Sequence, residues 1–306
     1  MDKDILSSIY VKLEILRTLS TRERANISRL AAELGIQEDD LRGIIEDLSK
    51  NYMIKLERDS IIWQAGDNPA WLKPWGWNYT YKILVGSTMI VAKRSPPWTL
   101  VVAEHQLKGY GRHLKQWISN LGGLWASYNI ELTPSLVQLL PIVIPTLICL
   151  YLRERWGFQA EIKWPNDIVY RRKKLAGIIL EGEVYGGRVV ATIGIGMNVN
   201  NEPPLETATS LKLIVDKLVP RNSIIAQITG FFGKLEVYAE NHRKIQSLYI
   251  DLLDTLGKKV RAYTVKGEVV RGIAKSITET GDLVVESDTG TVKLSSNEVF
   301  ELRYEE

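Results

Sequence analysis

At 306 residues the chain is about twice a typical single-domain length, so two or three separate cores are expected. Hydrophobic residues supply 45% and charged residues 25%, which excludes a disordered or fibrous chain, and a net charge of +3 is too small to announce nucleic acid as a partner. The single cysteine, Cys149, excludes an internal disulfide and points to a reducing, cytoplasmic setting; the opening Met1-Asp-Lys-Asp-Ile-Leu6 shows no apolar run behind a basic one, so no export signal is expected.

Residues 1–66 predict three helices and a hairpin, a winged helix-turn-helix. Ile5, Ile9, Leu13, Leu16 and Leu19 recur at helical spacing. A short helix runs from Ile27 to Gly35, and a second from Glu38 to Asn51 places Leu41, Ile44, Ile45 and Leu48 inward. Alternation from Met53 to Trp63 around Arg58-Asp-Ser60 gives the wing. The second helix of such a motif normally enters the major groove with basic or amide side chains. Here it opens with Glu38, Asp39 and Asp40 and continues with Glu46 and Asp47 against Arg42 and Lys50, the wrong sign for phosphate. Weak DNA binding without sequence preference is expected, and a structural or dimerising role fits the charges better. Arg22, Arg24 and Arg29 are the cations that would supply phosphate contacts.

Residues 67–80, rich in Pro, Gly and Trp, read as a linker that is neither helix nor strand. Residues 81–254 mix strands with helices near 135–156 and 223–251. The apolar run from Leu136 to Leu152 is short for a membrane span, carries Gln138 and is interrupted by Pro141 and Pro145, so a buried helix is expected and no membrane partner. Residues 255–306 give strands at 260–265, 269–277, 283–286 and 292–294, a small SH3-like barrel. The fold class is α+β.

The three histidines are scattered, and neither a Walker A loop nor a Gly-x-Ser-x-Gly elbow is present. Anion-handling chemistry must lie in less familiar segments. After the strand Trp98–Val102, the loop Gly109-Tyr-Gly-Arg-His-Leu-Lys115 combines flexible backbone with cations. Lys163-Trp-Pro-Asn-Asp167 ends an apolar strand with a rigid turn and two polar groups, a common place for a site and equally a self-bonded turn. Lys174 to Asn200 reads as a hairpin turning at Gly186-Gly187. Counting back places Gly177 opposite Gly196 and Leu175 opposite Asn198, so two bare glycines leave room for a ligand. Strict alternation points Lys174 to the other face, so a twist or bulge is required there.

In its order of Ser87-Thr88, Gly109-x-Gly-Arg112, Lys163-Trp-Pro-Asn-Asp167, Lys174-Leu-Ala-Gly177 and Gly194-Ile-Gly-Met-Asn198, the chain resembles the biotin protein ligases over most of its length. The three-part layout looks like that of the family's bifunctional ligase-repressors. The resemblance implies ATP-dependent activation of biotin to biotinyl-5′-AMP, then transfer to a lysine of a biotin carboxyl carrier domain, with Mg²⁺ as cofactor, and it suggests a homodimer through the central sheet. It implies biotin contacts from Ser87, Thr88, Gln106, Gly109, Tyr110 and Gly177. Arg112 and Lys174 would hold the biotin carboxylate and the α-phosphate together. The nucleotide would meet Lys115, Trp117, Lys163, Asn166, Asp167 and Asn198, with Asp167 either orienting Mg²⁺ or accepting the acceptor lysine's proton. The family loop usually reads Gly-Arg-Gly-Arg-Arg-Gly-Arg, so several cations and one glycine are lost here, and Met89 replaces the usual Asn. Lipoate-protein ligase is the enzymatic alternative, which would be expected to lack Trp-Pro-Asn-Asp and the C-terminal barrel.

Overall fold

The computed structural model describes residues 3–305, with side chains from residue 9 onward; the side chain of Ile5 and the extreme N-terminal residues lie outside what it describes. Helix α1 (Lys3–Thr21) buries Leu13, Leu16 and Leu19, the helical-spacing residues that the sequence marks as inward. Strand β1 (Ala25–Asn26) leads into α2 (Ile27–Leu34), whose N-terminus is capped by the Asn26 side chain accepting the Arg29 N–H. Helix α3 (Glu38–Ser49) follows, then β2 (Ile54–Glu57) and β3 (Ser60–Trp63) in a small sheet of order β1-β3-β2. Buried Ile27, Leu41, Ile45, Tyr52, Ile61 and Trp63 join the α1 residues in one core.

The connector is not wholly irregular. Pro69–Trp71 makes a 3-10 turn, and β4 (Asn78–Val85) takes up the last three residues of the expected linker. Helix α4 (Thr88–Lys93), β5 (Thr99–Gln106) and β6 (Leu124–Leu132) follow, with β4 parallel and β6 antiparallel to β5, a mixed sheet. Helix α5 (Pro134–Trp156) runs through Pro141 and Pro145, which sit one turn apart so that their missing donors fall on one face. It is long and apolar enough to cross a bilayer, yet it buries Leu140, Ile144, Ile148, Cys149 and Leu152 inside the protein.

Strands β7 (Glu161–Lys163), β8 (Asp167–Tyr170), β9 (Lys173–Tyr185) and β10 (Arg188–Met197) come next, with β7, β8 and β9 as consecutive antiparallel neighbours. Gly186 and Gly187 both have positive φ, the geometry of a tight two-residue turn between β9 and β10. After α6 (Leu211–Val215), the helix expected over 223–251 is three helices: α7 (Arg221–Phe232), α8 (Leu235–Glu240) and α9 (His242–Leu252). The breaks fall at Gly233 and Asn241, residue types that hold helix poorly, and the Asn241 amide donates instead to the Val237 carbonyl. The C-terminal sheet has five strands, β11 (Lys259–Thr264), β12 (Val269–Ile277), β13 (Leu283–Ser287), β14 (Gly290–Leu294) and β15 (Val299–Tyr304), in the order β14-β13-β12-β11-β15. The last strand is absent from the sequence reading; it pairs with β11 through Val260–Tyr304 and Ala262–Leu302.

The chain divides into two compact units. One comprises residues up to 109 with 117–129 and 194–229; the other comprises 110–116, 130–193 and residues from 230 on.

Candidate functional site

In the first unit, the polar side chains at the end of β5 and the start of α4 form a chain of hydrogen bonds. Ser127 Oγ donates to Thr88 Oγ1 at 2.8 Å, and the Thr88 hydroxyl and backbone N–H both donate to Gln106 Oε1 at 3.0 and 2.8 Å. Gln106 Nε2 then donates to Ser119 Oγ at 2.8 Å. Ser87, at the N-cap of α4, is buried, and its hydroxyl meets no partner among the described residues. A buried hydroxyl left unbonded costs about 1–3 kcal/mol, so this one marks a place where a bound polar group would be stabilising.

Gly109 closes the base of the basic loop, where its carbonyl accepts the Trp117 N–H at 2.9 Å. A Cβ at Gly109 would stand 2.7 Å from the Trp117 carbonyl oxygen, so only glycine fits. The bare face of Gly196 is likewise used, but not by open space: a Cβ there would lie 2.5 Å from the Trp117 indole, which rests directly on it. The expected ligand gap over Gly196 is therefore filled by a side chain. Asn198 is buried and accepts the Asn201 amide at 2.9 Å.

Behind this cluster stands a buried ionic network. Arg221, at the start of α7, donates from Nε to Asp67 Oδ1 at 2.8 Å and from Nη1 to Glu104 Oε2 at 2.7 Å, with all three side chains at most 2% exposed. Tyr52 and Tyr81 donate to the Glu104 carboxylate, each at 2.9 Å, while the Met53 N–H and Trp63 Nε1 donate to Asp67 Oδ2, each at 3.0 Å. Burial works against the Arg221 charge, but Asp67 and Glu104 outweigh it and hold the guanidinium above its ordinary range. Burial, with Glu104 adding to it, pushes the Tyr52 and Tyr81 phenols well above theirs.

In the second unit, the sequence Lys174-Leu-Ala-Gly177 pairs with β8 through a bulge. Asp167 lies opposite Gly177 and Ile168 opposite Ala176, but Val169 lies opposite Lys174, leaving Leu175 as the extra residue. This slip turns Lys174 onto the Asp167 face, where Nζ meets Oδ1 at 2.8 Å. The bulge required by counting is present. Next to it, Asn166 is clamped by backbone, its side-chain amide donating to the Ile178 carbonyl at 2.6 Å and its own backbone carbonyl accepting the Ile178 N–H at 3.0 Å. Arg112 Nη1 donates to Asn166 Oδ1 at 3.3 Å; burial pulls the Arg112 pKa below its ordinary value, with Asp167 opposing.

Arg112 Nη2 is turned elsewhere, donating to the Ser296 carbonyl and, at 2.7 Å, to the Val299 carbonyl. Lys115 Nζ donates to the Phe300 carbonyl at 3.2 Å and lies over that ring. The loop's cations are thus held by the entry to β15. His113 and Leu114 both adopt left-handed φ, 52° and 57°, and Leu114 stands where the family loop carries its missing glycine. The structure keeps the glycine-like backbone and accepts strain for it.

Lys163 lies opposite Asp167 in the β7–β8 register, but its amine sits over the Tyr304 ring at 4.9 Å rather than on Asn166 or Asp167. Tyr110 bridges across the loop to Gln116. Trp164 is buried, with its N–H on Thr255 Oγ1 and its indole on the Gly281 carbonyl. Among the described residues no three His, Cys, Asp or Glu side chains stand together to hold a metal. Asp167 alone suits Mg²⁺ arriving on a nucleotide, since that ion commonly keeps waters and takes one or two carboxylates beside phosphate oxygens. The sequence reading missed Ser119, Ser127 and the Arg221 network. The signals were a serine and an asparagine inside the apolar strand Leu124–Leu132, and Glu104 in the apolar run of β5.

Comparison with known proteins gives two family matches: the Biotin/lipoate A/B protein ligase family over residues 87–200, and the Biotin protein ligase C terminal domain over residues 255–300. The Bifunctional ligase/repressor BirA of Bacillus subtilis is 31% identical over 245 residues, covering 73% of this chain and 74% of its own length. A Biotin--[acetyl-CoA-carboxylase] ligase of Mycobacterium tuberculosis is 28% identical over 220 residues, 67% of this chain and 79% of that one. Among solved structures, the biotin protein ligase from Aquifex aeolicus in complex with biotin and ATP superposes with a TM-score of 0.64 at 26% identity, covering 74% of this chain and 99% of that chain.

Proposed function

This chain belongs to the biotin protein ligase family, and from that premise we propose how its residues divide the work. It activates biotin with ATP to biotinyl-5′-adenylate, releasing pyrophosphate, and passes the biotinyl group to a lysine of a carboxylase's carrier domain. Ser87, Thr88 and Gln106 receive the neutral ureido ring: Ser87 offers an unbonded buried hydroxyl, and the Ser127–Thr88–Gln106–Ser119 chain fixes its neighbours. The match to a biotin protein ligase C-terminal domain weighs against the lipoate alternative.

The observation that carries the division is the Lys174–Asp167 pair created by the bulge at Leu175. A cation fixed by a carboxylate offsets the repulsion between the biotin carboxylate and the α-phosphate, and stabilises the charge that develops at phosphorus. Asn166 is held rigid beside it and orients Arg112, whose guanidinium leaves the Ser296 and Val299 carbonyls to meet the two anions. Mg²⁺ supplies charge neutralisation on the phosphates when bound, and Asp167 is the carboxylate that would hold it. Lys174→Ala should slow adenylation by roughly a hundredfold or more, the scale of one lost transition-state charge partner. Pyrophosphate release without carrier measures this, and a wild-type rate would remove Lys174 from the chemistry.

We further propose that α1, α2, α3 and the β2–β3 hairpin form a winged helix-turn-helix, followed by a linker at 67–80, a ligase core at 81–254 and an SH3-like cap at 255–306. The acidic face of α3 supports a structural role for the first domain. The cations that would supply phosphate contacts are engaged: Arg22 and Arg29 with Glu33, Arg24 with Glu57, and Lys12 and Lys50 with Asp47.

A further inference from the structure

We propose that the β8–β9 turn, together with the C-terminal end of α5, is a docking patch for an acidic face of the carrier domain that delivers the acceptor lysine. The inference rests on the ligase reading above. Tyr170 and Lys173 pair across a two-residue turn whose central residues are Arg171 and Arg172. Both have left-handed φ, 48° and 64°, which asparagine and glycine adopt readily and arginine does not. The turn therefore carries two arginines where the backbone favours uncharged residues, and strain of this kind gathers at functional positions.

Tyr170 packs edge-on against Phe158, 5.1 Å between ring centres, which brings the end of α5 beside the turn. Arg155 and Arg171 lie over the rings of Trp156 and Tyr170. Arg153, Arg155, Arg171, Arg172 and Lys173 are all exposed, and no ion pair within 4.0 Å engages any of them among the described residues. The nearby acids are Glu154 on the helix end and Glu161 opposite Val169 on β7. Elsewhere on this chain exposed arginines commonly sit against a carboxylate, as Arg22, Arg29 and Arg303 do.

The location suits a protein rather than a small substrate. Tyr170 lies three strand residues beyond Asp167, roughly 10 Å along β8. A macromolecule presenting a lysine at Asp167 and Lys174 would cover the turn, whereas the lysine's own side chain would not reach it. Unpaired cations there would attract an acidic surface and raise its rate of encounter.

The test uses the full chain and a purified biotin carboxyl carrier domain. The double variant Arg171→Asn/Arg172→Gly relieves the strained backbone while removing the charge, so folding and thermal stability should be retained. Pyrophosphate release without carrier should match the wild type, the KM for carrier should rise about tenfold or more, and its salt dependence should flatten. Arg171→Lys/Arg172→Lys should keep most of the wild-type KM. An unchanged carrier KM in the Asn/Gly variant would overturn the proposal. A raised KM for ATP with normal carrier KM would overturn it too, assigning the patch to polyphosphate. Adenylation is read in the wild-type chain without carrier, so failure of the ligase reading shows in that first measurement, whereas failure of the docking proposal leaves it normal and shows only in the carrier KM of the variants.

Discussion

Replacing Arg221 with Met removes the one cation that the described residues place against buried Asp67 and Glu104. Glu104 would keep the Tyr52 and Tyr81 hydroxyls, and Asp67 the Met53 N–H and the Trp63 indole, so neither carboxylate loses every donor. Both carboxylates remain buried and lose their counter-ion. Breaking a buried pair in this way costs about 3–5 kcal/mol. At about 2–4 °C per kcal/mol for a unit of this size, the melting transition should fall by roughly 6–20 °C. Thermal unfolding followed by circular dichroism measures it, with urea unfolding to confirm the free energy. Adding Glu104→Gln and Asp67→Asn to the Met variant should restore a large part of the loss, because the uncompensated charges go. A loss under about 1 kcal/mol for the Met variant, or no recovery on neutralising the carboxylates, would refute the idea that this network ties Tyr52 and Trp63 of the N-terminal region to β5.

Three further outcomes follow from the same structure. Gly196→Ala places a methyl group inside the Trp117 indole, which must move, so stability should fall by roughly 1–3 kcal/mol; urea unfolding checks it, and an unchanged midpoint would mean the indole does not rest there in solution. Biotin should bind more tightly than lipoate by about 2–4 kcal/mol, since a ligand without the ureido group leaves two or so buried polar partners unmet; calorimetry giving equal affinities would move the reading to lipoate ligation. In a mobility-shift assay with biotin and ATP present, the protein should hold its own promoter region no better than random DNA, and a nanomolar footprint resisting random competitor would restore a repressor role to α3.

Local periodicity made much of the fold readable. Leu13, Leu16 and Leu19 on α1, and the alternation that became β11 to β14, depend on neighbours in sequence, which is what such patterns encode. The break of 223–251 into three helices was written in Gly233 and Asn241 but outweighed by the apolar periodicity around them. At the site, counting back from Gly186-Gly187 required an irregularity near Lys174, and the bulge at Leu175 is that irregularity. The same count left an empty space over Gly196, because it knows nothing of a side chain arriving from seventy-nine residues earlier: Trp117 fills it. Arg112 was legible as a cation of the loop but not as a ligand of the Ser296 and Val299 carbonyls, which depend on a strand the sequence did not reveal. The Arg221 network joins residues 52, 67, 104 and 221, and only Glu104 inside an apolar strand signalled that a distant partner existed.

The central claim, that this chain activates biotin through its adenylate, is tested most directly by mass spectrometry of a single-turnover mixture of the purified protein with biotin and Mg-ATP, without carrier. Biotinyl-5′-AMP should appear together with an equal amount of pyrophosphate, and disappear when a carrier domain is added, as its lysine gains the biotinyl group. ATP left intact, or a lipoyl-adenylate formed in preference when both acids are supplied, would contradict it.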